Sequence, residues 1–177
     1  MARCFFYNQV SIIKSISDSL PEGWKIYVKE HPHQFNNLNT KSRWFYLAGI
    51  KKFRSKEFYQ EIKAIPNVKL VGLTVKSSQL IKNAAVVSTI NGTAILEAIA
   101  LKKIVFSFSQ ETTPFAMLDD VFDIKKTSDI AIAFNKIIKG FVPRYTKLKD
   151  FFDTYVFEID SNNPKKLNNV MRAIQST

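Results

Sequence analysis

The sequence predicts an α/β protein: a Rossmann-like three-layer α/β/α domain with a mostly parallel sheet. Three observations predict it. Short β-rich apolar runs alternate with segments of helical periodicity along most of the chain. No internal repeat or low-complexity tract breaks that alternation. The predicted strands end in polar or glycine-bearing turns, where open α/β sheets bind ligands.

The elements follow in order. Residues 9–20 space Val10, Ile12, Ile13, Ile16 and Leu20 as a helix does, and Pro21-Glu22-Gly23 ends it. Residues 24–28 alternate and are rich in β-formers, so they read as a strand running into Lys29-Glu30-His31-Pro32-His33. Residues 35–42 are a polar, Asn-rich loop. Residues 43–64 are helical at their end, with Phe53, Phe58, Tyr59 and Ile62 available for one face. After the Pro66-Asn67 turn, residues 68–72 form a short buried strand. Ser77 or Ser78 is expected to cap a helix over 79–83.

Residues 84–88 are the next strand, 94–101 a helix and 104–108 a strand. Residues 110–118 form a loop, and 121–124 a short strand. Residues 127–139 are a helix capped by Thr127 or Ser128, striped by Ile130, Ala133, Phe134 and Ile137, and closed by Gly140. The tail, 145–177, reads as two helices packing on a Rossmann-like domain of residues 1–144, one structural domain overall.

Composition narrows the function. The chain has 177 residues, 46% hydrophobic and 23% charged, which suits a globular domain with a core of its own. A single cysteine, Cys4, forbids an internal disulfide. No apolar run reaches the roughly 18 residues of a membrane span, and the N-terminus lacks a signal-peptide pattern. A cytoplasmic protein is expected, so the Asn91-Gly92-Thr93 sequon reads as a turn rather than a sugar acceptor. The net charge of +11 seeks phosphate, whether in nucleic acid, lipid head groups or a small ligand. Its clusters, Lys41–Lys56 and Lys136–Lys149, also read as solvated helix faces.

The predicted strand ends carry His31-Pro32, Gly72, Ser88–Thr93 and Ser107–Gln110. Two of them bear chemistry. In "VKEHPH", Lys29 adds positive field, and His31 can bond a phosphate or move a proton, while Pro32 fixes the backbone. The plain alternative is a His31 that bonds a loop carbonyl. His31 and His33 lack further ligands for a metal.

In "VVSTINGTAILEA", Ser88, Thr89, Asn91, Gly92 and Thr93 form a polar turn into a helix. The helix N-terminus favours an anion, and Gly92 admits it to the backbone. Glu97 lies four residues after Thr93, on the same helix face. A capping box needs the acid one place earlier, where Leu96 stands, so Glu97 is available to accept hydrogen bonds from a ribose. The plain alternative is a Thr cap and a solvated Glu. Both strand ends are expected on one sheet, with a nucleotide between them.

At these motifs, "VKEHP", "IPNVKLV" and "LIKNAAVVSTINGTAILEAIALKKIVF", the chain resembles the C-terminal domain of bacterial capsule polysaccharide biosynthesis proteins, which are similar to GT-B glycosyltransferases. The resemblance covers roughly residues 9–109 and implies the C-terminal half of a GT-B fold. From related enzymes using CMP-linked Kdo or sialic acid, it implies phosphate contacts by His31 and Pro32 and by Ser88, Thr89 and Thr93. It implies a ribose contact by Glu97. It also implies an N-terminal GT-B partner domain that supplies the catalytic base or nucleophile, so transfer by this chain alone is not expected.

The expected function is donor binding in capsule or surface polysaccharide synthesis, with a nucleotide sugar as substrate and a polysaccharide or glycolipid as acceptor. No metal or other cofactor is required, because side chains and a helix terminus hold the phosphate charge. An anionic membrane surface is a further expected partner. The alternatives are a UDP-sugar 2-epimerase-like domain, or a basic nucleic-acid-binding module; the latter is disfavoured because no nucleic-acid motif is present.

Overall fold

The computed structural model describes residues 8–30, 54–90, 94–108 and 118–151. The chain divides into two compact units, residues 1–76 and 77–177.

In the first unit, α1 (Gln9–Asp18) starts where the Asn8 side chain accepts a hydrogen bond from the Val10 N–H at 3.0 Å. It buries Ile12 and Ile16. Gly23, at φ +79°, turns the chain into β1 (Ile26–Lys29). Helix α2 (Lys56–Ala64) is capped by Ser55, whose hydroxyl accepts from the Phe58 N–H at 3.3 Å, and it buries Ile62. Strand β2 (Val68–Val71) follows a turn at Asn67, φ +62°. The two strands run parallel, Ile26 opposite Val68 and Lys29 opposite Val71. Ser17 Oγ donates to the Pro66 carbonyl at 2.8 Å and ties the end of α1 to the turn after α2.

The second unit contains α3 (Ser77–Asn83), β3 (Val86–Thr89), α4 (Ala94–Ala100), β4 (Ile104–Ser107), β5 (Val121–Asp123), α5 (Thr127–Ile138) and α6 (Leu148–Phe151). Among the described residues its strands are parallel in the order β3-β4-β5. Side chains alternate across a strand, so each face has its own core. Val87 and Val105 point to one side and pack with Ile95, Ala98 and Ile99 of α4, and with Tyr145 and Phe151. Phe106 and Phe122 point to the other, where Phe106 meets Phe134 of α5 edge-on at 5.2 Å. This unit is therefore helix-covered on both faces of a parallel sheet.

The α/β class and the parallel strands agree with expectation. The single sheet does not: the described strands pair as β1-β2 and as β3-β4-β5. Alternation of strands with helices sets their direction, but it does not choose which strands are neighbours. Two caps also differ. Ser77 and Ser78 lie inside α3. Helix α5 is preceded by Lys126, and Asp129, not Thr127 or Ser128, closes its start: Asp129 Oδ2 accepts from the Lys125 and Lys126 N–H groups, each at 3.0 Å. An acid in the first turn serves as well as a hydroxyl before it. The loop over 110–118 and the tail beyond Phe151 lie outside the described residues, apart from Leu118, which is buried in the core.

Both helices that bound the α4 and α5 layers end alike. After α4, the Lys103 N–H reaches the Ala98 carbonyl at 2.9 Å and the Lys102 N–H reaches Ile99 at 2.8 Å. After α5, the Phe141 N–H reaches Lys136 at 3.1 Å and the Gly140 N–H reaches Ile137 at 2.9 Å. This is the Schellman pattern, which needs a left-handed residue at its close. Gly140 (φ +90°) supplies it in one case and Lys102 (φ +51°) in the other.

Candidate functional site

In the first unit the site residue described is Lys29, half-buried at the carboxyl end of β1. Its ammonium donates to the Leu73 carbonyl at 3.3 Å, two residues past its register partner Val71. His31 and Pro32 lie outside the described residues, as does His33. Glu30, the residue after Lys29 in the same motif, forms an ion pair with Arg54 at 2.9 Å. Arg54 also donates to Gln9 Oε1 at 2.6 Å and lies 4.6 Å over the Phe58 ring. Burial raises the pKa of the neighbouring Tyr59, and the Glu30 carboxylate raises it further. The sequence signal for this pairing was only Arg54's place among the basic residues before α2.

In the second unit, Ser88 is exposed and Thr89 half-buried at the carboxyl end of β3. They are consecutive, so they project from opposite faces of the sheet. Thr89 stands opposite Ser107, and Ser107 opposite Asp123. The carboxyl edge therefore carries a row of Thr89, Ser107 and Asp123 on the face that α4 covers. Ser107 is 3% exposed. The Thr89 carbonyl accepts from the Phe108 N–H at 3.0 Å, and the Ser107 carbonyl from the Ile124 N–H at 2.8 Å, so backbone bonding runs one residue beyond the strands. Asp123 pairs with Lys125 at 3.3 Å on the surface.

Glu97 is half-buried in the first turn of α4, between buried Ile95 and Ala98. Asn91, Gly92 and Thr93, which join β3 to α4, lie outside the described residues. Sequence reading named Ser107 only as a strand end. Its alignment with Thr89 depends on β3 and β4 being neighbours, which spacing alone does not give. Asp123 was missed, because a three-residue strand leaves little periodicity to read.

Two hydroxyl-bearing residues on adjacent strand ends, with a carboxylate on the helix that follows, can bond the oxygens of a phosphate and the hydroxyls of a sugar. Among the described residues, no group of three or more His, Cys, Asp or Glu side chains is placed to hold a metal ion. Comparison with protein-family models, curated proteins and solved structures finds no match to this chain.

Proposed function

We propose that this chain is the donor-nucleotide-binding domain of a glycosyltransferase acting in bacterial capsule or surface polysaccharide synthesis, and that its donor is a CMP-linked acidic sugar. The observation that carries the reading is the in-register pair Thr89 and Ser107 at the carboxyl edge of a parallel sheet, with Glu97 in the first turn of the next helix. Support also comes from the resemblance of the strand-end motifs and from the charge of +11.

In this reading the hydroxyl edge and the segment Asn91-Gly92-Thr93 hold the nucleotide phosphate. As the bond from the sugar to that phosphate breaks, charge grows on the phosphate oxygens. Fixed donors stabilise that charge without having to reorganise. Glu97 accepts from the ribose hydroxyls and sets the nucleotide's position.

Calorimetric titration with CMP tests the reading, run beside filter binding of an RNA oligonucleotide across a salt series. Saturable CMP binding with weak RNA retention supports it. Tight, steeply salt-dependent RNA binding without CMP binding contradicts it and favours a basic nucleic-acid module.

A further inference from the structure

We propose that the turn after α5 is a docking surface for an anionic lipid bilayer. Ile138 and Val142, on either side of Gly140, are 65% and 75% exposed. Single exposed apolar residues are common and need no partner. These two differ because the turn between them is pinned. The Schellman bonds fix Gly140 and Phe141, and the Phe141 ring packs on Phe122 at 4.9 Å. Lys136 lies over that same Phe122 ring, at 5.9 Å.

Beyond the turn burial alternates along the chain. Pro143 and Tyr145 are buried, while Val142 and Arg144 face outward. The segment is anchored from below: Asp120 accepts from the Arg144 N–H at 2.6 Å, and Asp119 accepts from the Thr146 hydroxyl and the Lys147 N–H. The inward residues hold the turn, so Ile138 and Val142 are presented without further ordering. Presentation in advance lowers the entropic cost of inserting them.

Charge complementarity selects the occupant. Residues 136–149 contain five cations and no acid, and the exposed Lys139 and Arg144 follow Ile138 and Val142 by one and two residues. Asp119 and Asp120 beneath, and Asp150 beyond, offset part of that field. Exposed apolar side chains next to Lys and Arg match the boundary between head groups and acyl chains in a bilayer with anionic lipid. A nucleic acid would use the cations and leave Ile138 and Val142 in water. No helix among the described residues is long and apolar enough to cross a membrane, so the proposed contact is peripheral.

Flotation of the full chain with vesicles tests this. Binding is expected to vesicles of mixed phosphatidylcholine and phosphatidylglycerol, and not to phosphatidylcholine alone. Ile138→Ser with Val142→Ser is expected to weaken it about tenfold. Lys139→Gln with Arg144→Gln is expected to weaken it by about fivefold per cation. All four side chains lie outside the core, and a melting curve for each variant verifies its fold. Equal binding to both vesicle types overturns the proposal. So does undiminished binding of the serine variant, or an RNA oligonucleotide that displaces the vesicles and binds the serine variant as well as the parent.

Discussion

Arg54 Nε lies 2.9 Å from Glu30 Oε1, and the two side chains are only 11% and 13% exposed. A pair this withdrawn from water tolerates the loss of one partner poorly, because the remaining charge is left buried. Arg54→Met is expected to lower unfolding free energy by about 3 kcal/mol, and Glu30→Leu to do likewise. The double variant is expected to recover much of the loss, since an apolar pair of similar volume removes both desolvation costs. Urea unfolding of all four proteins measures the cycle; strictly additive losses contradict the pairing.

The two left-handed helix ends give reciprocal expectations. Gly140→Ala places a Cβ at φ +90° and is expected to cost about 1–2 kcal/mol. Lys102→Gly relieves the same strain at φ +51° and is expected to stabilise by about 1 kcal/mol. Thermal melts of both variants check the signs.

Tyr145 is buried and donates its phenol proton to the Lys103 carbonyl. Burial, and secondarily the Asp120 carboxylate, hold its pKa well above the ordinary tyrosine value. A raised folded pKa on an acid favours its neutral form. The stability it contributes is whole below about pH 10, the unfolded value, and is lost as the pH rises from there toward the folded pKa. Tyr145→Phe is expected to cost about 1–2 kcal/mol at neutral pH and to flatten the alkaline limb of stability against pH.

Asp119 behaves in the opposite sense. Its hydrogen bond from Thr146, then that from the Lys147 N–H, holds its pKa below the usual aspartate value. Its contribution is present above the unfolded pKa of about 3.9 and is lost as the pH falls through the lower folded value. The carboxylate is only partly buried, so Asp119→Asn is expected to cost no more than about 1 kcal/mol at neutral pH. Acid titration of stability, followed by circular dichroism, is expected to show a shallower fall in the variant.

Much of the fold was legible in the sequence. Helix α1 carries its periodicity openly, strand β3 lies within two residues of the strand expected over 84–88, and the Gly140 stop fell where a left-handed residue was needed. What was not legible depends on neighbours far apart in the chain. Ser107 gains its place beside Thr89 only once β3 and β4 pair, and Glu30 meets Arg54 24 residues later. The grouping of the described strands into two sheets is a fact of the same kind. Lys126 and Asp129 outdid the expected Thr cap because two backbone N–H groups bind one carboxylate.

A thermal-shift panel of CMP, CDP, UDP and GDP tests the central claim most directly, on the full chain and on Thr89→Val, Ser107→Ala and Glu97→Ala. A ligand at roughly a hundred times its Kd stabilises by about 2.7 kcal/mol, which for a chain of this size raises Tm by about 5 °C or more. The account predicts that rise with a cytidine nucleotide, reduced in the Thr89, Ser107 and Glu97 variants while their ligand-free melts stay cooperative. No shift with any nucleotide, or an equal shift in every variant, contradicts it.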